Sequence, residues 1–75
     1  MIIDNFDESK KIFGKNLRTI RFEKNITING LEEKSGVAQS QIRRYETGVN
    51  VPDMKSFVNL TRALGTTYEE LLKGI

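Results

Sequence analysis

The sequence lacks two residue types on which much protein chemistry depends. Its 75 residues include no cysteine and no histidine. Without cysteine there is no disulfide, no thiol nucleophile and no cysteine-based zinc or iron–sulfur site. Without histidine, the commonest general base and the commonest transition-metal ligand are both missing. We therefore expect no metal and no other cofactor, and the absence of cysteine fits a reducing cytosol.

Long apolar runs are also missing. No run approaches the roughly 18 residues that a membrane-spanning helix needs. The N-terminus, "MIIDNFDESKK", has neither a basic start nor an apolar stretch long enough for a signal peptide. We therefore expect a soluble, cytoplasmic protein with no membrane association. A chain of this length makes one domain at most, and a partner subunit would help to stabilise its small core.

The acidic residues do not form a pattern that suits catalysis. Glu32–Glu33 and Glu69–Glu70 are adjacent pairs, and neighbours on a helix point in different directions instead of converging on a substrate. Such pairs are typical of solvated faces and of first turns that the helix dipole favours. The "GKN" at Gly14 lacks the preceding glycine of a phosphate-binding loop. We therefore expect that the protein is not an enzyme.

Charge is distributed unevenly along the chain. Residues 1–8 contain three acids and no base, whereas residues 9–75 contain 12 basic and seven acidic residues, a net charge of +5. Basic domains attract polyanions such as nucleic acids, although the same excess also serves ordinary solubility. We divide the chain into an N-terminal tail or arm, 1–8, and a domain, 9–75.

Apolar spacing predicts an all-α domain of five helices. Ser9 is a candidate cap for a first helix that runs to about Asn25, with Phe13, Leu17 and Ile20 on one face. Gly14 inside this helix indicates close packing by another element. Thr27 is expected to cap a second helix over 28–35, which ends at Gly36, and a third helix follows over 38–46.

The C-terminal third of the chain predicts two more helices. Asp53, after the only proline, Pro52, is expected to cap a helix over 54–64. Its expected inner face consists of Met54, Phe57, Val58, Thr61 and Leu64. Thr67-x-x-Glu70 is a capping box that begins a short fifth helix, which we expect to end at Gly74.

Two short helices around a tight glycine turn, 28–46, are the pattern of a helix-turn-helix. Leu31, Val37, Ile42 and Tyr45 are the apolar positions that would hold the pair to the domain. The opposite side of the third helix has no acid; it carries Gln39 in the exposed first turn and Ser40, Arg43, Arg44 and Thr47. Arginine can bind guanine and glutamine can bind adenine through two hydrogen bonds each. A solvated polar face is the alternative interpretation.

At this point the chain resembles the lambda-repressor-like, Cro/C1-type helix-turn-helix family of bacterial and phage transcription regulators. The resemblance spans about Phe13 to Leu72 and is carried by "FGKNLRTIRFEKNIT", "LEEKSGVAQSQIRRYETG" and "PDMKSFVNLTRALGTTYEELL". It implies a compact five-helix domain and a sequence-specific regulator of transcription. The implied partner is double-stranded DNA, read in the major groove, and the simplest activity is repression.

The resemblance also implies roles for individual residues. Base contacts fall on Gln39, Ser40 and Arg44, with Arg43 contacting either base or phosphate. Phosphate contacts fall on Thr27, Thr47, Asn50 and Gln41. Arg21 and Glu46 match a pair that forms an internal salt bridge between the first and third helices of the family.

The chain departs from the family pattern at several positions. Ile28 stands where many members have a glutamine that touches phosphate. Glu32 stands where a small residue, often alanine, packs against the recognition helix, so its side chain must point outward or tilt the helices. Ser35 is less usual, and Ala38 is a poor N-cap.

Two questions of assembly stay open at this level. The same fold also serves as a protein-interaction module, such as an antitoxin-like or polymerase-binding regulator, but the basic outward face favours DNA. A homodimer on a two-fold operator is expected, with no small-molecule ligand implied. Its interface could lie at Tyr68, Leu71, Leu72 and Ile75, unless these residues only close the core. Residues 1–8 could be a disordered tail, a cover for the core or a dimer arm.

Overall fold

The computed structural model describes residues 6–75, and within this range the regular secondary structure is all helical, with no β-strand. The five helices are α1 (Phe6–Glu23), α2 (Ile28–Ser35), α3 (Gln39–Glu46), α4 (Met54–Leu64) and α5 (Tyr68–Leu71). The predicted all-α class and the number of helices are confirmed. None of the helices in 6–75 is long and apolar enough to cross a membrane.

The start of α1 differs from the prediction. The helix begins at Phe6, so Ser9 lies inside it and does not cap it, and it ends at Glu23, two residues before Asn25. Asp7 and Glu8 occupy the first turn, where negative charge interacts favourably with the helix dipole. Residues 6–8 are thus helical, while residues 1–5, the rest of the expected tail, lie outside the described range.

The helix ends in the middle of the chain follow from local chemistry. The Thr27 hydroxyl accepts a hydrogen bond from the Gly30 N–H at 2.9 Å and caps α2, as predicted. Gly36 ends α2 with φ of 77°, a left-handed conformation that glycine adopts without steric cost. Asp53 caps α4 by accepting from the Ser56 N–H at 2.8 Å. That hydrogen bond is the largest of the effects that lower the pKa of Asp53 below its usual value.

One core joins the five helices. It is formed by one or more apolar residues from each helix and by Val37 from the turn between α2 and α3: Phe13, Leu17, Ile20, Leu31, Val37, Ile42, Tyr45, Leu60, Leu64 and Leu71. The predicted inner face of α4 was wrong at Met54, which is 75% exposed, and it omitted Leu60, which is fully buried. Phe57, Leu60, Thr61 and Leu64 have the i, i+3, i+4, i+7 spacing of one helical face. Met54, in the first turn, instead borders an apolar groove.

The first and third helices are packed unusually close together. A Cβ atom added to Gly14 would fall on the carbonyl oxygen of Tyr45 and 2.9 Å from that of Glu46. Both neighbours are backbone atoms, which a side-chain rotation cannot move away. The glycine inside α1 is therefore required by the close approach of α3, as the sequence indicated.

An ion pair joins the same two helices. Arg21 donates from Nε to Glu46 Oε2 at 2.7 Å and from Nη2 to Glu46 Oε1 at 3.0 Å. Both side chains are more than 90% buried. Arg21 Nη1 also donates to the carbonyl oxygen of Ile26 at 3.0 Å. The pairing implied by the family resemblance is thus present, and its bidentate geometry fixes the angle of α3 against α1.

The C-terminal residues divide between core and surface. Leu71 is fully buried, whereas Tyr68, Leu72 and Ile75 are about half exposed. Asn16 holds this end against α1 by donating to the carbonyl oxygens of Leu71 and Lys73, each at 2.9 Å. Leu71 therefore closes the core, and the other three apolar side chains remain available at the surface. The short α5 ends at Leu71, three residues before the predicted end at Gly74.

Candidate nucleic-acid interface

The turn between α2 and α3 is fixed by buried contacts at both of its ends. The buried Ser35 hydroxyl donates to the Leu31 carbonyl at 2.6 Å and accepts from the Val37 N–H at 3.1 Å. Val37 is itself buried in the core. Ser35 therefore connects the last turn of α2 to the start of α3, which explains why a hydroxyl occupies a position where the sequence pattern was unusual.

The inner side of α3 is apolar and the outer side is polar and basic. Ile42 is fully buried and Tyr45 is 5% exposed, so these two side chains hold the helix to the core. The exposed residues of α3 include no acid; they are Ser40, Gln41, Arg43 and Arg44. This arrangement presents two guanidinium groups to the solvent from a helix whose opposite side is fixed.

Gln39 is placed differently from the expectation. It was assigned to an exposed first turn, but it is half-buried and bonded to α2. Its Nε2 donates to Asn29 Oδ1 at 2.8 Å and to Glu32 Oε1 at 2.9 Å. Its Oε1 accepts from Arg43 Nη2 at 3.5 Å, which is long for a hydrogen bond. Glu32 therefore lies across the α2–α3 junction, where its carboxylate has a polar partner.

The phosphate candidates lie around both ends of the helix pair and differ in what they can donate. Thr27 accepts the capping bond, so its hydroxyl proton remains available to a phosphate. The exposed Thr47 already donates its hydroxyl proton to the Arg43 carbonyl at 2.8 Å. Asn50, half-buried in the following loop, has a buried Oδ1 without a hydrogen-bond partner among the described residues. Gln41 is exposed on α3.

Sequence reasoning missed one basic segment near this surface. Lys10 Nζ lies 3.4 Å from the Val49 carbonyl oxygen. The side-chain stem of Lys11 packs beside Gly48, where an added Cβ would come within 3.0 Å of its Cγ. These lysines of α1 therefore border the loop that follows α3. No local motif signals this proximity, because it depends on the close packing of α1 against α3.

Comparison with known proteins agrees with this geometry. Residues 17–71 match the Helix-turn-helix family. The chain is 39% identical over 61 residues to the transcriptional repressor RghR of Bacillus subtilis, covering 80% of this chain and 45% of RghR. It is 32% identical over 62 residues to the transcriptional activator BcrR of Enterococcus faecalis, covering 83% of this chain and 30% of BcrR. The chain thus spans about half the length, or less, of these curated relatives.

A solved structure extends the similarity to three dimensions. The restriction-modification controller protein C.AhdI from Aeromonas hydrophila superposes with a TM-score of 0.81 at 26% identity. The match covers 85% of this chain and 97% of C.AhdI. The family match in sequence and the match in structure support the same fold. The chain therefore belongs to the Cro/C1-type helix-turn-helix family of DNA-binding transcriptional regulators.

Proposed function

We propose that this chain binds double-stranded DNA sequence-specifically, by laying α3 in the major groove. The observation that carries the proposal is the outer side of α3, where Arg43 and Arg44 are exposed and no acid is present. Residues at the start of a recognition helix contact base edges in such complexes. The buried inner side supplies the rigidity that base recognition requires.

Each polar residue of the interface has a proposed part. Arg44, exposed on α3, is proposed to donate two hydrogen bonds to guanine, and Arg43 is proposed to contact base or phosphate. Ser40 is proposed to contact a base edge. Phosphate contacts are assigned to groups around the helix pair that carry N–H or O–H donors: Thr27, Gln41, Thr47 and Asn50. The hydroxyl and the backbone N–H of Thr47 both donate to the Arg43 carbonyl, so Thr47 would have to release one of these bonds to contact a phosphate.

Repression is the simplest regulatory outcome, because a protein bound at a promoter blocks polymerase. The names of the relatives do not fix the direction, since they include a repressor and an activator. A regulator of transcription must reach DNA, so we place its action in the cytoplasm of a bacterium or of a phage-infected cell.

We also propose that two copies bind a two-fold operator. An apolar groove of about 260 Å³ opens beside the exposed Phe6, Met54, Leu72 and Ile75. Exposed apolar patches of this kind mark association sites, and a second copy would cover them. Half-sites would then be separated by about 34 Å, one turn of DNA. Leu72→Glu should lower dimer content in sedimentation velocity and weaken binding to a full operator more than to a half-site.

The proposal is tested with duplexes selected from a random pool. Specific complexes should be at least about a thousandfold tighter than those with unselected DNA, and affinity should fall steeply with salt. Arg44→Ala should cost about 1–3 kcal/mol at particular base pairs. Arg62→Ala, which removes the same charge from α4, is the matched control and should leave the base preference unchanged.

Two results would refute parts of this assignment. If Arg44→Ala binds every sequence as the parent does, the recognition face lies elsewhere. If the parent binds no duplex even at low salt, DNA binding is refuted and the fold serves as a protein-interaction module. The basic outer side of α3 is the observation that favours DNA over that second function.

A further inference from the structure

The junction between α2 and α3 contains a hydrogen-bonded cluster of three polar side chains. It consists of Asn29 and Glu32 on α2 and Gln39 on α3, which we call the amide clasp. A glutamine amide has two N–H donors and one carbonyl acceptor. In the amide clasp both donors of Gln39 are engaged, one by Asn29 at 2.8 Å and one by Glu32 at 2.9 Å.

Chemistry fixes the orientation of this amide. An ionised carboxylate only accepts hydrogen bonds, so the atom of Gln39 that faces Glu32 must be its nitrogen. The carbonyl oxygen is then turned the other way, toward Arg43 Nη2 at 3.5 Å. That contact is too long to hold the oxygen firmly, so the oxygen remains able to accept from another donor.

This orientation changes what Gln39 can read. The bidentate pairing of glutamine with adenine needs a donor for N7 and an acceptor for the N6 amino group. With the amide clasp closed, no N–H is left for N7. The remaining acceptor fits an amino group alone, and in the major groove both adenine N6 and cytosine N4 supply one.

We propose that Glu32, together with Asn29, determines specificity by making Gln39 an acceptor-only reader. This inference rests on the proposed function, because it describes how the same DNA surface is read. Gln39 then accepts adenine and cytosine with similar affinity at its position, and the sharper discrimination comes from the arginines. Glu32 itself touches no base and is a positioning residue.

The test compares base preferences of the parent, Glu32→Ala and Glu33→Ala, each by selection from a randomised duplex pool. Gln39→Ala first identifies the position that Gln39 reads. There the parent should bind adenine and cytosine within about threefold of each other. Glu32→Ala frees one N–H, so adenine should become preferred by at least about fivefold, the low end of what a bidentate pair discriminates. Glu33→Ala removes an exposed neighbouring carboxylate of equal charge and should leave the ratio unchanged.

A measurement without DNA checks the amide clasp itself. In the parent, both side-chain amide protons of Gln39 should exchange slowly with water in NMR spectra. Glu32→Ala should speed the exchange of one proton, and Glu33→Ala should not. Because alanine is a strong helix former, circular dichroism should show that both variants keep the helices.

The outcomes separate this inference from the proposed function. Specific binding with an adenine-to-cytosine ratio that Glu32→Ala does not change would overturn the acceptor-only role while leaving the DNA function intact. The acceptor-only role would also be overturned if the parent already preferred adenine over cytosine by tenfold. It would be overturned as well if Gln39→Ala altered no base preference. Failure of the parent to bind any duplex would overturn both.

Discussion

On the inner side of α3, Ile42 and Tyr45 are buried and Glu46 is locked to Arg21, whereas on the outer side Arg43 and Arg44 extend into solvent. Residues of the two sides alternate along the sequence of a single helix of eight residues. Inner side chains lose their freedom when the protein folds, and outer ones would lose it only when DNA binds. Stability and recognition should therefore respond to different substitutions in this helix.

The same contrast extends to α2. Leu31 belongs to the inner set, since it is fully buried in the core. Asn29, which is exposed, and Glu32, which is half-buried, form an intermediate layer because both are bonded to Gln39. That layer is where substitutions should change base preference without a large change in stability.

The largest expected effect comes from opening the buried ion pair. Glu46→Ala leaves the Arg21 guanidinium buried without its carboxylate, and we expect the free energy of unfolding to fall by about 3–5 kcal/mol. Since a single core in a chain of this size rarely supplies more than about 3–5 kcal/mol of stability, much of the variant should be unfolded at 37 °C. Urea denaturation followed by circular dichroism measures the change.

A double variant is the control for the ion pair. Arg21→Met with Glu46→Leu replaces both charges by apolar groups, and it should cost less than either single change, Arg21→Met or Glu46→Leu. The interpretation of Arg21–Glu46 as one coupled unit is wrong if the effects of the two single changes simply add.

A smaller loss is expected where α1 meets α3. Gly14→Ala would drive a methyl group into the backbone carbonyls of Tyr45 and Glu46, and such overpacking costs about 1–3 kcal/mol. α3 should then shift relative to α1, so binding to a selected duplex should weaken as well. Thermal unfolding and a titration of that duplex measure both effects.

Gly30→Ala is the matched control in another helix. Its added Cβ would meet the Thr27 side chain at 3.2 Å, not backbone. The gain in helix propensity, up to about 1 kcal/mol, should offset that contact. Equal losses of stability in Gly14→Ala and Gly30→Ala would show that the close approach of α1 and α3 does not determine the cost of an added methyl group.

Local signals made much of the fold predictable. The bounds of α2 and α4 were predicted correctly because a capping side chain begins each helix and a left-handed glycine ends it. The start of α1 was not, because Ser9 resembles a cap although Asp7 and Glu8 continue the helix before it. Met54 was wrongly assigned to the buried face of α4 because helical periodicity does not indicate where neighbouring helices end.

The candidate site was predictable in its residue types and less so in its geometry. Periodicity alone separated Ile42 and Tyr45 from Arg43 and Arg44, because a helix of known phase has only one buried side. The engagement of Gln39 by Glu32 and Asn29 could not be foreseen. It depends on the distance between two helices and on the rotamers of three polar side chains. Neither the interhelical distance nor the rotamers can be read from the residue pattern of a single sequence.

The smallest expected effect is an increase in the free energy of unfolding, from a substitution at the start of α3. Ala38 begins this helix without a side-chain hydrogen bond, whereas Thr27, Asp53 and Thr67 each cap theirs. Ala38 already has the extended backbone of an N-cap, with φ of −61° and ψ of 144°. Ala38→Ser should therefore add about 1 kcal/mol to the free energy of unfolding and raise Tm by about 4–8 °C.

Ala38→Ser should leave the base preference of the protein unchanged. The cap bond engages the new hydroxyl with a backbone N–H of the first turn, and the substitution leaves the exposed arginines of α3 unchanged. The ranking of selected duplexes should thus match that of the parent while stability rises. Thr67→Ala, which removes the cap of α5, should lower stability by about the same amount and also leave the ranking unchanged. A reordered ranking in Ala38→Ser alone would mean that the start of α3 shifts when it is capped, so that stability and recognition are coupled there.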